Sequence, residues 1–270
     1  MSEPESPTLA RFVLGRMLRR LRVEASVDVQ TAADLCGVVK TTVIRWELGA
    51  SPPKPPMVKE LGNAYGATQA DIDKMSAWAL KAKRRGLFES PDVPPDARML
   101  FEAEHVAHAI RAVELEHIPG LLQTPEYLAE VQAALPEYFE PDSLDRIRAV
   151  RERRQAAQAA RTEPPITQYI IGIAAMTYLA QMPTDVRKGQ IERLREAVAS
   201  GIDIRVLTKP HAAMLGSFTL IQITPDHPPF AYIDSVDGSR YLEGEDVLCR
   251  FEQTFASAQK SAIALEEYLR

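Results

Sequence analysis

Apolar residues over the first ninety positions repeat with the spacing of short α-helices. The segment Leu9–Arg22 places four large apolar side chains on one stripe, and its opposite side is rich in arginine. Residues 51–56 form a proline-rich connector, because each Pro blocks helix propagation. Four further helices are predicted, over Val29–Cys36, Lys40–Leu48, Met57–Tyr65 and Gln69–Arg85. The pattern therefore predicts a five-helix module at the N-terminus.

The second and third of these helices are separated by a short turn that contains glycine. Asp28 is a suitable N-cap for the second helix, and Gly37 can end that helix in the left-handed conformation. Gly49 stops the third helix. Two short helices joined by a tight turn form the helix-turn-helix arrangement, which many proteins use to bind DNA.

The segment Val27–Gly49 resembles the DNA-binding core of lambda-repressor-like (XRE-type) transcriptional regulators. The matching residues, besides the basic stripe of the first helix, are Ala33, Gly37, Val43, Glu47 and Gly49. The resemblance implies that the third helix is the recognition helix. Helical spacing places Val43 and Trp46 on its inner side, where we expect them to pack into the module.

The outer side of the recognition helix carries the side chains that we expect to touch DNA. Arg45 can bond a guanine with two hydrogen bonds, and Thr41 or Thr42 can meet a thymine methyl group or a phosphate. The arginines of the first helix, Arg22 among them, supply attraction to phosphates regardless of sequence. The predicted DNA-binding residues are Lys40, Thr41, Thr42, Arg45, Arg19 and Arg20.

Three prolines within residues 90–96 mark the predicted boundary between two domains. Residues 1–89 form the helix-turn-helix domain, and residues 97–270 form a regulatory, partner-binding domain. Within the second domain, helices are predicted over Ala97–Glu116, from Thr124-Pro125 onward, from Asp142 or Ser143 to about Arg161, over 190–199 and over 245–269. Runs rich in β-formers lie at 168–173, 202–207, 217–223 and 230–234.

These elements define the expected fold class. The chain is mainly α with an α/β C-terminal part: the five-helix domain is followed by a helical subdomain over 97–161. Residues 162–270 then form a small, mostly antiparallel sheet with flanking helices.

The string Ile-Pro-Gly-Leu-Leu-Gln-Thr-Pro-Glu-Tyr at 118–127 resembles the hallmark of the C-terminal domain of actinobacterial antitoxin-like regulators of the WhiJ type. Further matches are Arg151-x-x-Arg154-Gln155, Pro164-Pro165, 216–220 and 231–234. The resemblance implies that a small companion protein binds this domain, with a small-molecule effector as the second possibility.

The corner at Pro119-Gly120 leaves two interpretations open. In one it is scaffold, because Pro and Gly fix a bend and the following leucines fill the core. In the other, Gln123 and Tyr127 present polar groups to a partner beside apolar anchors.

Composition places the chain among globular proteins, since 46% of its 270 residues are apolar and 26% are charged. The net charge of −5 is unevenly distributed. Residues 1–90 contain 14 Lys+Arg against 10 Asp+Glu, whereas residues 91–270 contain 18 against 27. A basic N-terminal part joined to an acidic body is typical of a small nucleic-acid-binding module attached to a part that does not touch nucleic acid.

The sequence also indicates where the protein acts. No apolar run is long enough to cross a bilayer, and the first seven residues are polar and acidic rather than a secretion signal. We therefore expect a cytoplasmic protein without membrane contact. Cys36 and Cys249 lie far apart among apolar residues, so we expect buried thiols rather than a disulfide or metal ligands.

Candidate catalytic and metal-binding groups are weak. His105-x-x-His108 lies on one face of the predicted helix with His117 nearby, but no carboxylate or cysteine set accompanies it at ligand spacing. The sequence contains neither a phosphate-cradling glycine loop nor a nucleophile elbow. We expect no enzymatic activity, no catalytic residues, no metal and no cofactor.

The function that these patterns favour is a DNA-binding transcriptional regulator that acts through residues 9–66, as a homodimer because operator palindromes require two-fold proteins. An alternative is a degenerate helix-turn-helix adaptor that works through protein–protein contacts. Val29 and Val39 favour the adaptor, since the XRE pattern has Gln and a Ser or Thr cap at those positions. The third and least favoured alternative is an enzyme with a pocket in the C-terminal domain.

Overall fold

The computed structural model describes residues 6–95, 97–134, 141–224, 229–235 and 238–270. Its contacts divide the chain into two compact units, Met1–Val106 and Ala107–Arg270. The division falls ten residues beyond the proline-rich segment in which the sequence places the domain boundary. None of the helices in the described residues is long and apolar enough to cross a membrane.

The first unit contains all five helices that the sequence predicts, followed by a sixth. They are α1 (Pro7–Glu24), α2 (Val29–Leu35), α3 (Lys40–Glu47), α4 (Pro55–Ala64), α5 (Gln69–Lys81) and α6 (Arg98–Val106). Helix α4 begins two residues earlier than expected, inside the predicted connector, because Pro is well tolerated in the first turn of a helix.

The apolar stripe of α1 packs into the core of this unit as its spacing predicts. Leu14 and Leu18 are fully buried, together with Trp78 and Met75 of α5. The side chain of Asp28 accepts a hydrogen bond of 2.9 Å from the backbone N–H of Thr31 and so caps α2. The predicted left-handed conformation of Gly37 is confirmed, with φ of 62°. Gly49, which follows the end of α3, is also left-handed, with φ of 70°.

Helix α6 belongs to the first unit through contacts with the start of α1. The carboxylate of Glu102 is buried, and it accepts hydrogen bonds from the hydroxyl of Ser6 at 2.6 Å and from the N–H of Phe88 at 2.7 Å. The rings of Phe88 and Phe101 meet edge to face, with centroids 5.8 Å apart. These contacts fix the segment between α5 and α6 against α1.

The prediction of one helix over Ala97–Glu116 is wrong in its second half. Helix α6 ends at Val106, and a strand begins at Ala109. Just before that strand, the N–H of His108 bonds to the carbonyl of Gln222. His105 and His108 therefore do not share a helix face. Pairing with strands distant in sequence has overridden the local helical pattern.

The second unit is built on a seven-stranded mixed sheet. Its strands are β1 (Ala109–Glu114), β2 (Ile166–Gly172), β3 (Asp203–Leu207), β4 (Phe218–Gln222), β5 (Phe230–Ile233), β6 (Arg240–Leu242) and β7 (Ile263–Ala264). The strand order is β6-β5-β4-β1-β2-β3-β7. Among the described residues, β1–β2 and β2–β3 are parallel and the other four strand pairs are antiparallel, so the sheet is mostly antiparallel and the predicted fold class is confirmed.

Helices cover both faces of this sheet. They are α7 (Pro125–Ala133), α8 (Pro141–Ala159), α9 (Ile173–Gln181), α10 (Thr184–Ala199), α11 (Glu245–Ser261) and α12 (Leu265–Tyr268). Phe255 of α11 lies in one core cluster with Ile170 and Leu220 of the central strands. The residues that follow these two in their strands, Ile171 and Ile221, point to the other face and are buried too.

The expectation of two buried thiols is wrong for Cys249, whose side chain is exposed on α11. Its neighbour Leu248 faces the core instead, because the helical period turns only one of the two inward. Cys36 is partly buried and packs against the core of the first unit. Both are free cysteines.

Candidate nucleic-acid interface

Helix α3 presents polar and basic side chains to solvent and packs an apolar face against the core. Lys40, Thr41 and Arg45 are exposed, and the predicted DNA-binding residue Thr42 is partly exposed. Val43 and the ring of Trp46 are buried, as expected from their spacing. The helix therefore offers its cations and hydroxyl groups outward, in the manner that reading of base edges requires.

A buried ion pair fixes α3 against α1. The guanidinium of Arg22 donates from Nε to Oε1 of Glu47 at 2.6 Å and from Nη2 to Oε2 at 3.0 Å. Its Nη1 also donates to the carbonyl of Val27 at 2.9 Å. The side chains of the pair are only 11% and 7% exposed, and the hydrogen bonds to Glu47 raise the pKa of Arg22. Two parallel bonds between planar groups define orientation as well as distance.

The pairing corrects the role that the sequence suggests for Arg22. We expected this arginine, with its neighbours on α1, to attract phosphates. Because its donors point inward to Glu47 and Val27, Arg22 positions the recognition helix instead. Arg19 and Arg20 are exposed on α1. Arg20 lies 3.8 Å from Glu24 in a solvent-exposed pair, which contributes little to stability.

Glycines allow α1 and the end of α3 to approach closely. A Cβ atom at position 15 would overlap the carbonyl oxygen of Trp46 and lie 2.9 Å from that of Glu47. A Cβ at position 49 would lie 3.0 Å from the Cα of Phe12. Helix α3 therefore rests on the backbone of α1, and its exposed face is set by main-chain packing as well as by the ion pair.

The exposed face of α3 also has an apolar part, which the sequence-based prediction did not include. Val39 is 66% exposed, Ile44 37% and Leu48 63%. Val39 is the N-cap residue of α3, and the helix has no side-chain cap there. The periodicity contained the signal for the other two, since Ile44 and Leu48 follow Lys40 at intervals of four and so share its face.

The valine at position 29, where the XRE pattern has Gln, has a simple structural explanation. Val29 is partly buried against the core of the first unit. The following residue, Gln30, is exposed near the start of α2, and its amide donates to Asp34 at 2.9 Å. A glutamine thus stands one position later than the XRE pattern places it.

In the second unit, the corner at 118–127 closes on itself. The amide of Gln123 donates to the carbonyl of Ile118 at 2.7 Å, and the hydroxyl of Tyr127 accepts from the N–H of the same residue at 3.1 Å. Both side chains are buried, and burial raises the pKa of the Tyr127 hydroxyl. Thr124 caps α7 as predicted, accepting from the N–H of Tyr127.

Two glutamines from distant helices bind the backbone of the same corner. Gln155 of α8 donates to the carbonyls of Leu121 at 3.2 Å and Gln123 at 2.9 Å. Gln190 of α10 is fully buried, donates to the carbonyl of Leu122 at 2.8 Å and accepts from the N–H of Thr124 at 2.9 Å. Side chains therefore bind the backbone carbonyls of four residues of the corner, at positions 118, 121, 122 and 123.

Arginines close the corner from another side. The guanidinium of Arg151 lies where a Cβ at position 120 would be, and that of Arg154 is 3.4 Å from the same point. The motifs at 118–127 and 151–155 thus meet in space. Because Gln123 and Tyr127 are both buried and both bonded to Ile118, the structure favours the scaffold interpretation of the corner over a partner-facing one.

Two family matches cover most of the chain. Residues 13–75 match a family described as a helix-turn-helix domain, and residues 97–268 match one described as a domain of unknown function (DUF5753). The second match spans more than half of the chain. The chain belongs to the DUF5753 family. No curated protein and no solved structure matches it significantly.

The DUF5753 match includes the sheet, the corner and the helices that surround it. The match begins at residue 97 and so includes α6, which by its contacts lies in the first unit. The helix-turn-helix match supports an XRE-like DNA-binding module at the N-terminus. Among the described residues, no group of three or more His, Cys, Asp or Glu side chains is placed to hold a metal ion.

Proposed function

We propose that the protein is a cytoplasmic transcriptional regulator of the XRE type that binds double-stranded DNA as a homodimer through α1–α4. The observation that carries this proposal is the outward face of α3, where Lys40, Thr41 and Arg45 are exposed while Glu47 anchors the helix from inside. A rigidly held helix with exposed donors is what major-groove recognition requires. Two-fold symmetry is inferred from the affinity that a single eight-residue helix can supply.

The DUF5753 domain is proposed to be the regulatory half, and it works by binding rather than by catalysis. The segment 91–270 carries 27 acidic against 18 basic residues, which disfavours a second nucleic-acid site. The resemblance to antitoxin-like regulators of the WhiJ type supports a small companion protein as its ligand, with a small-molecule effector as the second candidate.

The adaptor alternative has one specific observation in its favour. Val39, Ile44 and Leu48 are exposed around the recognition helix, and apolar side chains in such a position also suit a protein partner. The two functions differ in their response to salt. Binding to DNA weakens steeply as salt rises, because each phosphate contact releases counterions.

Arg45→Ala is expected to weaken binding to the specific site by about 1–3 kcal/mol, because the lost side chain reads a base. Arg19→Ala is expected to weaken binding to the specific site and to unrelated DNA equally. It should also reduce the slope of log affinity against log salt concentration by about one. Fluorescence anisotropy with the protein's own promoter region and with unrelated duplex of equal length measures both. Binding that does not change with salt, or no binding to either duplex, would contradict the proposal.

Tyr127→Phe and Gln123→Ala are each expected to destabilise the DUF5753 domain by about 1–3 kcal/mol, since each leaves a buried backbone group of Ile118 without its partner. Capture of a companion protein by the folded fraction is expected to be unchanged. Thermal melts and pull-downs on the same preparations separate the two effects. An unchanged melting temperature with loss of capture would instead place these residues at the partner surface.

A further inference from the structure

The exposed face of α3 contains a small apolar stripe inside its basic border. Lys40, Ile44 and Leu48 follow one another at intervals of four, and Thr41 and Arg45 stand one residue further on in each turn. Ile44 is therefore flanked by a lysine one turn before it and by an arginine next to it. None of these five residues is acidic.

Val39 adds a further exposed apolar side chain at the N-terminal end of the helix. It is the N-cap residue, with φ of −82° and ψ of 151°, and it makes no side-chain cap. Ser or Thr at this position would stabilise the helix, so an exposed valine there is unfavourable for folding. Burial elsewhere does not explain it, because two thirds of its surface is accessible.

A partner that satisfies all of these side chains must be both anionic and locally apolar. The major groove of DNA has this combination, because phosphates line its edges and the C5-methyl group of each thymine projects into it. Lysine and arginine side chains can bind the phosphates, and aliphatic side chains can contact the thymine methyl groups. The charge of the border favours DNA over an apolar protein surface, where Lys40 and Arg45 would need acidic partners.

We propose that Val39 and Ile44 are specificity-determining residues that recognise thymine methyl groups in the major groove beside the guanine read by Arg45. This inference rests on the proposed DNA-binding function and adds the chemistry of the sequence that is read. The valine that replaces the Ser or Thr of the XRE pattern at position 39 then has a role in recognition: it gives up the capping hydroxyl and provides a surface that contacts a thymine methyl group.

The test begins with a duplex selected from a random library by the full-length protein. Each thymine of the selected half-site is then replaced singly by deoxyuridine, which lacks only the C5-methyl group. We expect the wild type to bind about fourfold more weakly at each thymine that contacts Val39 or Ile44, the value for one buried methylene-sized group. Val39→Ala and Ile44→Ala should each lose the sensitivity at their own position.

Leu80→Ala is the matched control, because Leu80 is an aliphatic residue on α5, outside the recognition helix, whose exposure lies between those of Ile44 and Val39. It should retain the uracil sensitivity of the wild type. All variants change exposed side chains, and unchanged thermal melts verify that they fold. Measurements at one fixed salt concentration keep the phosphate contribution constant.

Failure of DNA binding and failure of methyl recognition give different results in this experiment. If the library yields no selected sequence, the proposed function itself fails. If a sequence is selected but every uracil substitution leaves affinity unchanged, DNA binding stands and the methyl readout is overturned. Wild-type DNA affinity and unchanged uracil sensitivity in Val39→Ala and Ile44→Ala, together with loss of binding to a protein partner, would assign the stripe to protein contact instead.

Discussion

Glu47→Ala is expected to destabilise the N-terminal unit by about 3–5 kcal/mol and to abolish specific DNA binding. The substitution leaves the guanidinium of Arg22 buried without its carboxylate, and breaking one side of a buried pair is much more costly than never having formed it. The same change removes the two bonds that orient α3 on α1. A loss of this size is a large fraction of the stability of an ordinary domain.

The chain provides a selective probe for this measurement. Its two tryptophans, Trp46 and Trp78, both lie in the core of the first unit. Denaturant unfolding followed by tryptophan emission therefore reports the N-terminal unit by itself. Arg20→Ala is the control: its pairing with Glu24 is solvent-exposed, so a change below about 0.5 kcal/mol is expected.

A double variant, Arg22→Met with Glu47→Leu, tests the cause. It should recover part of the lost stability, since the buried charges are gone and apolar groups occupy the site. Recovery will be incomplete because the carbonyl of Val27 loses its donor. If Glu47→Ala were as stable as the wild type, the pair would not be what holds the recognition helix.

The helix-turn-helix could be predicted because its signals are local. The cap at Asp28 and the left-handed glycines at 37 and 49 act within a few residues of the elements that they end. The inward position of Val43 and Trp46 follows from helical spacing alone. In each case the residue that determines the structure and the residue that responds are neighbours in sequence.

The role of Arg22 was missed because its partner is 25 positions away. A sign of that partner was nevertheless present. Glu47 lies four residues after Val43 and next to Trp46, and therefore on the inner side of α3. A carboxylate at an inward position requires a buried counter-charge, and α1 is the nearest arginine-rich segment. The inner face of α3 therefore contains the information that predicts the ion pair between Glu47 and an arginine of α1.

Strand β1 could not be recognised from its own residues. Ala109–Glu114 continues the helical periodicity of α6, and no turn signal separates the two elements. What makes it a strand is its position between β2 and β4, where Ile110 pairs with Thr167 and with Ile221. Those partners lie 57 and 111 residues later in the chain, beyond the reach of any local pattern.

Gln190→Leu is expected to cost the DUF5753 domain about 3 kcal/mol. The substitution conserves volume, but it removes the fully buried amide that pairs with the N–H of Thr124 and with the carbonyl of Leu122. An unsatisfied buried backbone group costs about 1–3 kcal/mol. Unfolding followed by far-ultraviolet circular dichroism should shift, whereas the transition followed by tryptophan emission, which reports the other unit, should not.

Gln253→Leu is the matched control for this change. Gln253 is exposed on α11, and its amide donates to the thiol of the exposed Cys249, so its replacement should alter stability by less than about 0.5 kcal/mol. The difference between the two variants isolates the cost of opening the corner, since both exchange the same amide for the same aliphatic side chain. Equal stability of the two would mean that the backbone of residues 122–124 finds other partners, and that the corner is held by Gln155 and the arginines instead.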